Sequence, residues 1–195
     1  MLEAIKRRLV SAQDAGVSLT LDRILSGLHG IDLNPLAVLG AKASIVVVLG
    51  SHLDPSRPVV LPIYLADAIN SADPTEDNFF EHELPTELGP KRFEVPSPLV
   101  RSPLLFEVFD RIRLLIDAGR NAAEIMAGIS PMIETLALST DELGRVQRTL
   151  QVFVDLHEQG WNGIWAPILA DRFAAGAIPP VSHIAGNPPW VKWSH

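Results

Sequence analysis

The chain has 195 residues, 47% hydrophobic and 20% charged, a balance that supports a buried core and excludes wholesale disorder. It has no cysteine, which excludes disulfides, thiolate zinc sites and cysteine nucleophiles and fits a reducing cytoplasm. The net charge of −7 argues against a large DNA-binding face on this segment alone, because phosphate contacts need clustered Lys and Arg; local basic patches such as Lys6, Arg7 and Arg8 remain.

Met1 to about Gln13 reads as the last part of a helix, with Leu2, Ile5, Leu9 and Val10 at helical spacing. Thr20 to Leu28 is a second short helix, capped by Thr20 and with Asp22 at its positive end. Leu28 to Asp32 is a short strand ending at an acid. Asn34-Pro35 then opens a helix that runs to about Leu49 and is apolar on most faces, as expected of a helix buried against a sheet. After a proline-bearing loop, Val59 to Leu65 is the next strand and ends at Ala66-Asp67. The strand–helix–strand order predicts adjacent parallel strands with a right-handed crossover.

Ala68 to Pro103 reads mostly as loop, with a short strand near Lys91 to Val95 and an acidic, solvated run from Asp73 to Glu87. From Pro103 to about Ala175 the pattern is helical. One stripe holds Leu104, Leu105, Val108, Ile112, Leu115 and Ile116. A second, from Leu143 to Leu156, follows a cap at Ser139 or Thr140, and a third helix surrounds Trp165 and Leu169. Pro179-Pro180 ends this stretch. Val181 to Gly186 reads as a final strand, followed at once by Asn187-Pro188-Pro189-Trp190. The longest apolar run, Ala43 to Gly50, is far below the roughly 20 residues that a membrane helix needs, and the charged N-terminus does not read as a signal peptide.

Three polar sites thus follow three expected parallel strands: Asp32, Asp67 and the Asn-Pro-Pro-Trp turn. Ligands of open α/β sheets bind along that edge. An acid at a strand end can accept both ribose hydroxyls of a nucleoside, and a second acid one strand along can accept from an adenine amine. A side-chain carbonyl and a rigid backbone carbonyl beside an indole suit a flipped base carrying an exocyclic amine.

These segments resemble the adenine-specific DNA methyltransferase family. Ile184-Ala-Gly-Asn-Pro-Pro-Trp-Val-Lys-Trp193 resembles its catalytic motif, Gly30-Ile-Asp-Leu-Asn-Pro-Leu-Ala-Val38 its second motif, and Leu61-Pro-Ile-Tyr-Leu-Ala-Asp67 its third. The closest flavour is the large restriction–modification and phage-defence type. The resemblance implies S-adenosylmethionine as cofactor, with Asp32 on its ribose and Asp67 on its adenine. It implies that Asn187 and the Pro188 carbonyl accept from the target amine, that Pro189 completes the turn, and that Trp190 stacks on the flipped base. It implies an α/β fold, an incomplete Rossmann-like sheet of parallel strands. Residues 1–67 and 176–195 would form a partial catalytic domain and residues 68–175 a mainly helical insert. DNA would be engaged through the full-length protein, in the cytoplasm.

The family's glycine-rich first motif has no counterpart here, since no Gly-x-Gly turn precedes Gly30. The chain therefore resembles a fragment running from just after the first motif to just after the fourth, and it is expected to be inactive by itself. Two alternatives stand beside this reading. One is a remnant or split subunit that docks to a complementary segment or self-associates through exposed sheet edges. The other keeps the chemistry but acts on protein glutamine or RNA; the helical insert, and Trp190 where Tyr is more usual, lean away from it. The blander readings are a proline turn at 187–190, a helix start at Asp32, and packing roles for Trp161, Trp165 and Trp193. No metal site is expected; His82 between Glu81 and Glu83 is the nearest approach to one.

Overall fold

The structure is a computed structural model, and it describes residues 1–54, 56, 59–68, 71–87 and 89–186. Helix α1 spans Leu2–Asp14 and α2 spans Leu21–Leu25. The Thr20 hydroxyl accepts from the Arg23 amide at 3.4 Å, which closes the first turn of α2. Strand β1 (Gly30–Asp32) leads into α3 (Pro35–Leu49), and β2 (Ile63–Leu65) returns beside β1. The pair is parallel, with Ile31 opposite Tyr64, as the strand–helix–strand order requires. Strand β2 is shorter than the apolar run from Val59 suggests. Pro62 has no amide to give to a ladder, and its carbonyl accepts from Gly30 N at 2.8 Å just before the pairing begins.

Ile5, Ile24, Leu25, Val38, Ile45, Leu49 and Ile63 join α1, α2, α3 and β2 in one buried cluster. Only one face of α3 takes part. Leu36, Leu39, Val46 and Val47 stand 76, 64, 45 and 80% exposed, which corrects the expectation of a helix buried on most faces. A helix that is apolar all round carries no periodic signal to say which face is covered.

The stretch expected to be mostly loop holds a three-stranded antiparallel sheet in the order β3 (Asp73–Pro74), β4 (Phe79–Leu84) and β5 (Lys91–Pro96). Phe80, His82 and Leu84 alternate with Glu81 and Glu83, so one face of β4 is buried while acids occupy the other. Half of the supposed acidic loop is therefore a strand. Short helix α4 (Ser97–Val100) leads to α5 (Leu105–Asp117), α6 (Ala122–Ile133), α7 (Thr140–Glu158) and α8 (Trp165–Gly176). Ser139 caps α7 in a reciprocal box with Glu142, at 3.2 and 2.7 Å.

A second core lies between this sheet and the helices. Its aromatic spine runs from Phe93 to Phe153 (5.1 Å), Phe109 (6.4 Å) and Phe173 (6.1 Å). Trp161 and Trp165 pack on each other at 4.7 Å and against this core, as packing residues should. Helix α8 touches both β2 and β4 and so joins the two sheets. Residues 181–186 form no strand, contrary to expectation, and Ile184 is 89% exposed. A strand needs a neighbour to take up its ladder bonds, and these residues find none among the described residues. The fold is thus α/β, with a parallel pair, an antiparallel sheet and a majority of helix. Among the described residues no helix is long and apolar enough to cross a membrane.

Candidate functional site

The carboxyl ends of β1 and β2 lie side by side. Asp32 is the last residue of β1, and its backbone carbonyl accepts from Ala66 N at 3.2 Å. Asp67 is the next residue after that bond, so the two acids leave adjacent strands at the same edge. One Asp32 carboxylate oxygen accepts from Asn34 N at 2.7 Å, an Asx turn that reverses the chain into α3. Asn34 in turn caps α3, its side-chain oxygen accepting from Leu36 N at 2.9 Å and Ala37 N at 3.4 Å. Asp32 is exposed and Asp67 half-buried. The structure thus puts both acids at one edge of the β1–β2 pair, and Asp32 also has a turn role, one of its carboxylate oxygens accepting from Asn34 N.

Asn187, Pro188, Pro189 and Trp190 lie outside the described residues. The nearest described residues before them are exposed, and His183 Nδ1 lies 2.9 Å from Ser182 Oγ.

Behind the edge lies a polar group that sequence reasoning missed. Asp171 on α8 lies by the Leu65 backbone amide, and Lys42 of α3 approaches its Oδ1 at 4.0 Å, a buried oxygen with no hydrogen-bond partner among the described residues. Burial pushes the Asp171 carboxyl up, while Lys42 and the Leu65 amide oppose the shift. The same burial, aided by Asp171, raises the Tyr64 phenol, whose ring stacks on Phe106 at 6.3 Å. Next along α8, Arg172 Nη1 lies 3.0 Å from Nε2 of the buried His82. A guanidinium can only donate, so the imidazole is neutral with its proton on Nδ1. Burial, then Arg172, lowers the His82 pKa. His82 is thus tied to an arginine, and no group of three potential metal ligands occurs among the described residues. The available signal was an Asp-Arg pair inside an otherwise apolar helix, Trp165 to Gly176.

His29, immediately before β1, has its pKa lowered by burial, and its Nδ1 is buried without a hydrogen-bond partner. The described residues form cavities elsewhere. One of about 540 Å³ lies between α1 and α2, and one of about 510 Å³ is lined by α6 and Leu143 of α7. Neither of these is lined by Asp32 or Asp67.

No family model, curated protein or solved structure matches this chain.

The edge offers two carboxylates on neighbouring strand ends beside a helix start. Those acceptors suit a ligand that donates from a vicinal diol and an amine, the chemical pattern of an adenine nucleoside.

Proposed function

We propose that the chain is part of an S-adenosylmethionine-dependent methyltransferase acting on DNA adenine, and that its β1–β2 edge holds the nucleoside half of the cofactor. The observation that carries this reading is the placement of Asp32 and Asp67 at adjacent parallel strand ends, in a chain whose sequence also holds Asn187-Pro-Pro-Trp190. On this reading residues 1–67 and 176–195 belong to an incomplete Rossmann-like catalytic domain, interrupted by an insert at 68–175. The cofactor, when bound, supplies an electrophilic methyl group. Asp32 would hold its ribose hydroxyls and Asp67 its adenine amine. Asn187 and the Pro188 carbonyl would accept from the target amine and draw density onto its nitrogen, beside a turn stiffened by Pro189. Trp190 would stack on the flipped base.

Calorimetric titration of the chain with S-adenosylhomocysteine tests the nucleoside half. Asp32→Ala is expected to weaken binding about 10- to 100-fold, since a hydrogen bond to a charged group contributes about 1.5–3 kcal/mol. Asp32→Asn keeps an oxygen for the Asn34 amide and so separates loss of charge from loss of the turn. Equal binding by the wild type and both variants would remove Asp32 from the site, and no binding by a folded wild type would refute the reading for this chain.

A second reading, an interaction module, is favoured by the outer face of α3. Leu36, Leu39, Val46 and Val47 are exposed on a helix whose single charged residue, Lys42, faces Asp171. On this reading the face covers a complementary segment or a second copy. Sedimentation should show association of the wild type and its loss in the double variant Leu36→Glu, Val47→Glu. A wild type that stays monomeric at all concentrations would exclude the second copy.

A further inference from the structure

The start of the chain has a positive balance although the chain as a whole is acidic. Residues 1–26 carry four basic and three acidic side chains, whereas the remainder carries twelve and twenty. Three of those four bases, Arg7, Arg8 and Arg23, line the open cavity of about 540 Å³ between α1 and α2, together with the hydroxyl-bearing Ser11 and Ser26. No carboxylate lines it. Arg8 is fixed in place: its Nη1 donates to the carbonyls of Ile24 and Ser26, both at 2.8 Å, where α2 ends. Among the described residues Arg7 is held only by an exposed pair with Glu3 at 3.1 Å, an interaction that contributes little and yields readily to a stronger anion. Arg23 is exposed and makes no ion pair among the described residues.

Guanidinium groups gathered round one cavity repel each other unless an anion lies between them. A single carboxylate has one charge and two oxygens for three such forks. A phosphate group brings more charge and more oxygens, in the geometry that arginine forks and hydroxyl donors match. We propose that the α1–α2 cavity is a phosphate-binding site, occupied by the phosphate of a nucleic-acid strand or of a free phosphate compound. The site is separate from the β1–β2 edge, so it stands or falls independently of the cofactor reading.

The test uses the full chain at low salt with three probes: a labelled single-stranded oligonucleotide, a labelled duplex, and tripolyphosphate. The double variant Arg7→Gln, Arg23→Gln removes two of the guanidiniums and spares Arg8, which holds α2. Arg23→Gln alone, at an exposed side chain with no ion pair among the described residues, guards against a folding defect. Arg111→Gln with Arg148→Gln changes the net charge equally at exposed positions far along the chain.

Binding is expected to fall at least about 10-fold in the cavity variant and to stay within about twofold in the charge-matched control. For a duplex, the slope of log K against log salt should flatten by about 1.8, or about 0.9 for each lost phosphate contact. Loss of oligonucleotide binding identifies a nucleic-acid strand as the source. Binding of tripolyphosphate alone, lost in the cavity variant, identifies a free phosphate compound. Absence of binding to all three probes overturns the proposal, as does equal loss in the cavity variant and the control, or unchanged binding in the cavity variant.

Discussion

Gly176→Ala is expected to destabilise the fold by more than about 3 kcal/mol, beyond the roughly 1–3 kcal/mol usual for overpacking. Gly176 is the last residue of α8. A β-carbon there would stand inside the van der Waals envelope of the Ala72 carbonyl oxygen and 2.9 Å from its carbon. Ala72 is buried and leads directly into β3. The obstacle is backbone, which no rotamer change moves aside. The contact also lies where α8 bridges the parallel pair and the antiparallel sheet, so relief by shifting α8 would strain both cores. Gly128→Ala is the control. Its β-carbon meets the end of the Leu115 side chain at 2.6 Å, a group that can rotate, so a small effect is expected. In urea, the midpoint for Gly176→Ala should fall with an unchanged slope. A midpoint like that of the wild type would mean that α8 and Ala72 are not in backbone contact.

What could be read from the sequence was local. The β1–α3 junction is written in consecutive residues: an acid that turns the chain, an Asn that caps the helix, and a Pro at the first helical position. The parallel pairing followed from the length of the connection. The start of α7 was equally plain, because Ser139 and Glu142 make a box that depends on four residues only. The parts that could not be read depend on distant partners. Strand β4 was hidden by its acids, although Phe80, His82 and Leu84 alternate as a half-buried strand should. The exposed face of α3 has no sequence signature. A strand at 181–186 was expected from β-branched and apolar residues, but pairing, not propensity, makes a strand. In the candidate site, the shared edge of the two acids was legible because Asp32 ends β1 and Asp67 follows β2 by two residues. Asp171 was missed because it reaches Leu65 and Lys42 from α8, about a hundred residues further along the chain.

Thr149→Val should be the second large loss, about 2–5 kcal/mol, despite the near-equal shapes of the two side chains. Thr149 is buried on α7, and its hydroxyl serves both backbone groups of Glu94: it donates to the carbonyl at 2.9 Å and accepts from the amide at 3.0 Å. Glu94 lies in β5 opposite Glu81 of β4. Its amide and carbonyl face away from β4, on an edge where no further strand pairs among the described residues. The threonine thus replaces the missing strand at one residue. Valine would leave an amide and a carbonyl without partners under a helix that excludes water, at about 1–3 kcal/mol each. Thr149→Ser keeps the hydroxyl and removes one methyl, so it should cost only about 1 kcal/mol. Hydrogen exchange adds a local readout: the Glu94 amide should lose protection in the valine variant and retain it in the serine variant. A valine variant as stable as the serine one would show that the hydroxyl does not hold this edge. A stable valine variant whose Glu94 amide stays protected would show that another group, or water, has taken its place.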